Sequence, residues 1–210
     1  MWRLLQLADS AFPSGGFAHS GGLEAAHTTK VETFVVEAIT ASAHASLPII
    51  GAAWHAEDTA ELDVFTAATL WSHVAARASR AQGRAWVDVT ARAFGPPTLV
   101  ELRRRVIAEQ QPGHLAPMFG AVARALDVAH DDAYAVFLHL TVRGLLSAAV
   151  RLGAIGPTEA QAIHGRLTPV LDAALVMART LTVEDVAQTS PITELVQAGH
   201  DRLYTRLFQS

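Results

Sequence analysis

The sequence predicts an all-α protein: one domain over residues 1–210, a bundle of roughly eight to ten helices of ordinary length. Three observations predict it. Apolar residues recur at helical spacing in stretch after stretch, no segment alternates at period two for long, and Gly and Pro steps punctuate the periodic runs.

The elements follow in order. The opening "MWRLLQLAD" is interrupted by Arg3, Gln6 and Asp9 before an apolar signal core can form. A loop rich in Gly, Ser and Pro runs from Leu7 to Ala26, "LADSAFPSGGFAHSGGLEAA", with Phe12, Phe17 and Leu23 as candidate core plugs. Val31, Phe34, Val35, Ala38 and Ile39 form the first stripe, and Pro48 is expected to kink or break a helix reaching Trp54. Asp58 with Glu61 has the form of a capping box ahead of a second stripe, Val64, Ala68, Trp71, Ala75 and Ala78. Gly95-Pro96-Pro97, Pro112-Gly113 and Gly156-Pro157 each end one helix and start another. "AYAVFLHLTVRGLLSAAV", Ala133 to Val150, is apolar on nearly all sides and about long enough to span a bilayer. His139 and Arg143 lie within it, and a charge at that depth is costly, so it reads as the central buried helix. Ser190-Pro191 offers a cap and an N1 proline for a stripe through Ile192, Leu195, Val196, Gly199 and Leu203. Residues 201–210 extend that stripe through Leu203 and Leu207 and add Tyr204 and Phe208. Such apolar groups near a chain end are costly to bury within a monomer, and docking on a partner would cover them.

Composition removes several function classes. There is no cysteine, hence no disulfide, thiolate metal site or cysteine nucleophile. Net charge is −4, which gives no broad basic field for nucleic acid. Lys30 is the only lysine and no Gly-Lys-Ser/Thr step exists, so no P-loop is present. Charged residues are 17% and hydrophobic ones 50%, a balance that suits a protein covering part of its surface with partners. A cytoplasmic location is expected.

The loop invites chemistry, and each version meets an objection. "AHSGG" resembles a nucleophile elbow around Ser20 but lacks the strand such an elbow needs. The glycine pairs could turn N–H groups toward an anion, yet no basic residue lies between Arg3 and Lys30. Ten histidines suggest metal, but none are three or four apart; His19 and His27, eight apart, are the nearest, leaving His19 or His114 as a lone weak site at best. Glu57–Asp58, Asp131–Asp132 and Glu184–Asp185 read as helix starts, and Arg103-Arg104-Arg105 as a solvated helix face.

Longer motifs carry a resemblance. "LLQLADSAFPSGGFAHSGGLEAA", "SRAQGRAWV" (Ser79 to Val87), "PGHLAPMFGAVARALD" (Pro112 to Asp127), "LLSAAVRLGAIGPTEAQ" (Leu145 to Gln161) and "SPITELVQAGHDRLYTRLFQS" (Ser190 to Ser210) resemble, in order and across the chain, the urease accessory protein F (UreF) family. The resemblance implies an all-α accessory protein without enzymatic activity or cofactor. Such a protein binds UreD (UreH in some species), recruits the GTPase UreG for nickel insertion into the urease apoprotein, and dimerises. It implies partner-binding residues in the loop, Phe17, His19 and Ser20, and in the tail, Tyr204, Arg206, Leu207, Phe208 and Ser210, with no catalytic or metal residue. Phe17 stands where relatives often have tyrosine. Arg206 is the best-matched charge of the tail, and its planar fork of donors suits a carboxylate or phosphate. Two alternatives stay open: control of the partner GTPase's rate, and weak nickel binding as a chaperone.

Overall fold

The computed structural model describes residues 1–26 and 30–210; His27 lies outside them. The regular secondary structure of the described residues is all helical, with no strand. The α-helices are α1 (Trp2–Leu7), α2 (Val31–Ala41), α3 (Leu47–His55), α4 (Ala60–Thr69), α5 (His73–Phe94), α6 (Pro97–Ile107), α7 (Leu115–Ala125), α8 (His130–Arg151), α9 (Pro157–Arg166), α10 (Thr168–Ala178) and α11 (Pro191–Ala198). Because α2 and α3 are one continuous rod, these segments make ten rods, within the expected range.

The join between α2 and α3 shows how proline is absorbed. A π-helical turn, Ser42–Ser46, precedes Pro48, and the helix continues through it; of the expected kink or break, the break does not occur. Pro48 has no N–H to give the His44 carbonyl. Ala187 supplies one instead, its N–H reaching His44 O at 3.3 Å.

Elsewhere the punctuation acts as read. Gly95 ends α5 in the left-handed region at φ 67°, and Pro97, Pro157 and Pro191 sit in the first turns of α6, α9 and α11. Two local readings fail. The box at Asp58 and Glu61 does not form: Asp58 accepts from Ala60 N at 2.9 Å and otherwise pairs with Arg105, while the true capping box joins Thr182 and Asp185. The stripe from Val64 to Ala78 is not one helix. The chain leaves α4 at Leu70, and Ser72 caps α5 by accepting from Ala75 N, so Trp71 lies in the break and is exposed. Helical spacing persisted across a cap that periodicity does not register.

α8 is the central element, packed on by α2, α3, α7, α9 and α10. It and the continuous Val31–His55 helix are both long and apolar enough to cross a membrane, and about half of each is buried inside this bundle. α7 approaches α3 and α5 through glycine: a Cβ on Gly120 would stand 2.3 Å from Ile50 O, and one on Gly83 2.3 Å from Gly113 O. An aromatic ladder fills the space beside them, Trp86 stacked on Phe119 at 4.9 Å and Phe119 edge-on to Phe137 at 5.2 Å. Phe12 caps it at 5.3 Å from Trp86. Phe12 and Leu23 are therefore plugs, as expected, while Phe17 is 72% exposed and is not.

His114 is wholly buried, its Nδ1 3.1 Å from Ser79 Oγ. Burial first, then Arg80 and Arg84, push its pKa down to about 4. This is a core histidine. The main-chain N–H groups of Gly113 and His114 donate to Asp63, at 2.6 and 2.8 Å, which ties α4 to the start of α7. The arginine run is solvated but not free: Arg103 pairs with Asp88, Arg104 with Glu101 and Arg105 with Asp58.

Candidate partner-docking site

The loop and the tail, some 190 residues apart in sequence, form one site. Its geometry begins with glycine. Gly21 and Gly22 take φ of 61° and 93°, a region L side chains rarely enter, and a Cβ on Gly21 would come within 2.9 Å of Leu145. This double turn lays the loop on α8 and sets Ser20 and Glu24 facing inward.

The tail packs into that turn. It is not helical: α11 stops at Ala198, one 3-10 turn covers His200–Arg202, and residues from Leu203 onward run as irregular chain. The expected helical extension through Leu207 is thus overturned, because the tail's N–H groups bond to the loop. Ser20 donates through both N and Oγ to the Ser210 main-chain oxygen, at 2.6 and 2.7 Å. Gln209 N donates to Ala18 O at 2.8 Å, and His19 Nδ1 lies 2.8 Å from Ser210 Oγ.

Glu24 is the hub. Only 7% exposed, it accepts from Leu207 N at 2.5 Å, Phe208 N at 3.2 Å and His200 Nε2 at 2.8 Å. Burial pushes its carboxyl upward, but the bonds from Leu207, His200 and Phe208 outweigh it and hold it below the usual range. A second clamp is Arg151 from the end of α8. Its guanidinium lies between the rings of Phe17 and Phe208, 3.7 and 4.2 Å from their centroids, and donates to Phe17 O at 2.5 Å.

A third cluster holds the outer edge. Asp201 accepts from Arg77 at 2.8 and 3.0 Å, His73 at 3.1 Å and Arg206 at 3.1 Å. The bonds from Arg77, foremost, and from His73 hold Asp201 down to about 2. Arg206 is therefore positioned rather than free, beside an open depression lined by Arg77, Asp201, Arg206, Phe208 and Gln209. His19 is held below its ordinary value by burial first, then by Arg77 and His200.

The structure thus brings Phe17, His19, Ser20, Phe208 and Ser210 into one cluster, with Arg206 at its rim. The expectation that the tail's apolar groups need a partner splits. Phe208 is 5% exposed within the monomer, whereas Tyr204 is fully exposed and Leu207 is 53% exposed. Residue reading missed Glu24, Arg151, Asp201, Arg77 and His200. All but Arg77 lie inside the quoted motifs, but their roles depend on contacts across the chain that spacing does not encode.

Among the described residues no group of three or more His, Asp or Glu side chains is gathered as metal ligands.

Comparison with known proteins identifies the family. The UreF family model matches residues 26–168, more than half of the chain. Over its full length the chain is 34% identical to urease accessory protein F of Arabidopsis thaliana, covering 92% of that protein. It is 31% identical to the protein of the same name from Oryza sativa subsp. indica, with 99% of this chain and 84% of the relative covered. With urease accessory protein UreF of Kocuria rhizophila the identity is 28%, with 99% and 95% covered. The family model stops short of both loop and tail, but these relatives align across them. The chain belongs to the UreF family of urease accessory proteins.

Proposed function

We propose that this protein is a non-catalytic cytoplasmic scaffold of urease maturation that binds UreD through the joined loop and tail and recruits the GTPase UreG for nickel insertion into the urease apoprotein, working as a homodimer. The observation that carries this reading is the lock between tail and loop. Main-chain bonds and Glu24 fix the tail's backbone, so that Phe17, Tyr204 and Leu207 are held outward on one rigid, mixed apolar surface with Arg206 at its margin. Pre-ordered aromatic anchors around a fixed cation are what a protein interface uses, because their ordering cost is met before binding. The bonds of Ser20 argue against a nucleophile: its Oγ donates to the Ser210 main-chain oxygen and accepts from Glu24 N, and among the described residues no hydrogen bond joins it to a base. Arg206 is engaged by Asp201, which favours recruitment of the GTPase over insertion of an arginine into its nucleotide site.

Removal of Leu207 to Ser210 is the test. Phe208 is the one residue of this segment in the buried hydrophobic core, the rest of which comes from the helices, their connections and the N-terminal loop, so circular dichroism should remain helical, while capture of UreD in a pull-down should weaken by about 30-fold or more, the loss typical of an aromatic anchor. Arg206→Ala should keep UreD and lose most UreG recruitment. Wild-type capture of UreD by the truncated chain would refute the docking role, and normal UreG recruitment by Arg206→Ala would reduce that arginine to a surface charge.

A further inference from the structure

Histidines that look isolated in sequence are not isolated in space. Of the ten, His27 lies outside the described residues, and six of the other nine have a hydrogen-bond partner. The three without one among the described residues are His55, His139 and His164. Two of these face each other: His139 of α8 and His164 of α9 have ring centroids 5.3 Å apart, tilted by 33°. Both are half-buried.

We propose that His139 and His164 form a two-imidazole site for a divalent first-row transition cation, with the remaining coordination positions filled by water or an incoming ligand. Two imidazoles bound to one ion at roughly 2.0–2.1 Å per bond place their centroids about 5 Å apart when the angle at the metal is near tetrahedral. The observed centroid separation of 5.3 Å is of that size. Borderline nitrogen donors select copper, nickel and zinc over magnesium or calcium, with copper tightest. Arg143, one turn along α8, donates to the Ala8 carbonyl.

The other close histidine pair, His55 and His130, has centroids 5.5 Å apart but not the same freedom. His130 Nδ1 contacts Asp131, and a Cβ on Gly51 would stand 3.0 Å from His130 Nε2, so that nitrogen is packed against the backbone of α3 with no room for a metal and its ligands. The proposed site does not rest on the scaffold reading. His139 lies roughly 18 Å along α8 from Arg151, at 1.5 Å per residue, so its failure would leave the docking site untouched.

The experiment uses the full chain without a histidine tag and titrates it with nickel, zinc or copper chloride by calorimetry, with magnesium chloride as control. Nitrogen hyperfine structure in the copper electron paramagnetic resonance spectrum counts the bound imidazoles. One ion per chain, copper bound by two nitrogens, and at least tenfold weaker binding in His164→Ala and in His139→Gln are expected, with His55→Ala unchanged. His164 is on the outer helix, so its variant remains informative if His139→Gln folds poorly. Absence of binding beyond the magnesium control, a single coordinating nitrogen, or full affinity in His164→Ala would each overturn the proposal.

Discussion

Glu24→Ala is expected to free the tail while the helical bundle stays folded. The substitution leaves His200, wholly buried, and the Leu207 and Phe208 amides without their acceptor. Removing one member of such a buried, charge-assisted set costs about 3 kcal/mol or more. The tail has a cheaper response than global unfolding: it can lift away and hydrate those groups. Local opening is therefore where the loss shows. Hydrogen exchange at the Leu207, Phe208 and Ser20 amides should accelerate by about 100-fold or more, at 1.4 kcal/mol per factor of ten, with protection in α7 and α8 nearly unchanged. Capture of UreD should fall with it. Glu24→Gln keeps one carbonyl acceptor and should give an intermediate effect. The same carboxyl makes tail docking pH-dependent. Its folded pKa lies below the ordinary 4.5, so its contribution is complete above that value and is lost as the pH falls through the lower folded value. Asp201, held down to about 2 against an ordinary 3.8, follows the same sign at lower pH. Wild-type exchange of the tail amides in Glu24→Ala would show that the Ser20–Ser210 bonds and the Arg151 clamp suffice alone.

Much of the fold was legible because it rests on local rules. Proline at helix starts, glycine at helix ends and the long apolar run of α8 each act within a few residues, and each is found where the sequence put it. Errors arose where a long-range partner decides. The tail keeps helical spacing through Leu207, yet its N–H groups go to Glu24 and Ala18, and periodicity does not weigh that competition. Pro48 reads as a kink or a break, and the residue that bonds His44 O where the helix does not break, Ala187, lies far away in sequence. The candidate site was half legible. Family-like motifs drew attention to loop and tail, but nothing in either stretch says that they touch. Arg151 and the His139–His164 pair emerge only when α8 is placed among its neighbours.

Gly120→Ala should be among the most damaging methyl groups that can be added to the helices of this chain, and Gly144→Ala one of the mildest. Both glycines are inside helices, where alanine on its own is favoured by about 1 kcal/mol. Surroundings set the sign. At Gly120 the new Cβ would meet Ile50 O at 2.3 Å, Ala53 Cβ at 2.8 Å and Ile50 C at 3.1 Å. Two of those atoms are backbone of α3, so no side chain can rotate aside, and α7 must shift as a body. That shift strains the stack of Phe119 on Trp86 and Phe137. Overpacking of this kind costs roughly 1–3 kcal/mol, and a rigid backbone contact belongs at or beyond the upper end. A net loss of about 2 kcal/mol lowers the melting temperature by roughly 4–8 °C in a domain of this size. Gly144, on α8, has nothing within 4 Å of its would-be Cβ. There the propensity term acts alone, and Tm should rise by about 1–3 °C. Paired thermal melts of the two variants decide the matter: a Gly120→Ala protein as stable as wild type would mean that α3 and α7 do not meet backbone to backbone.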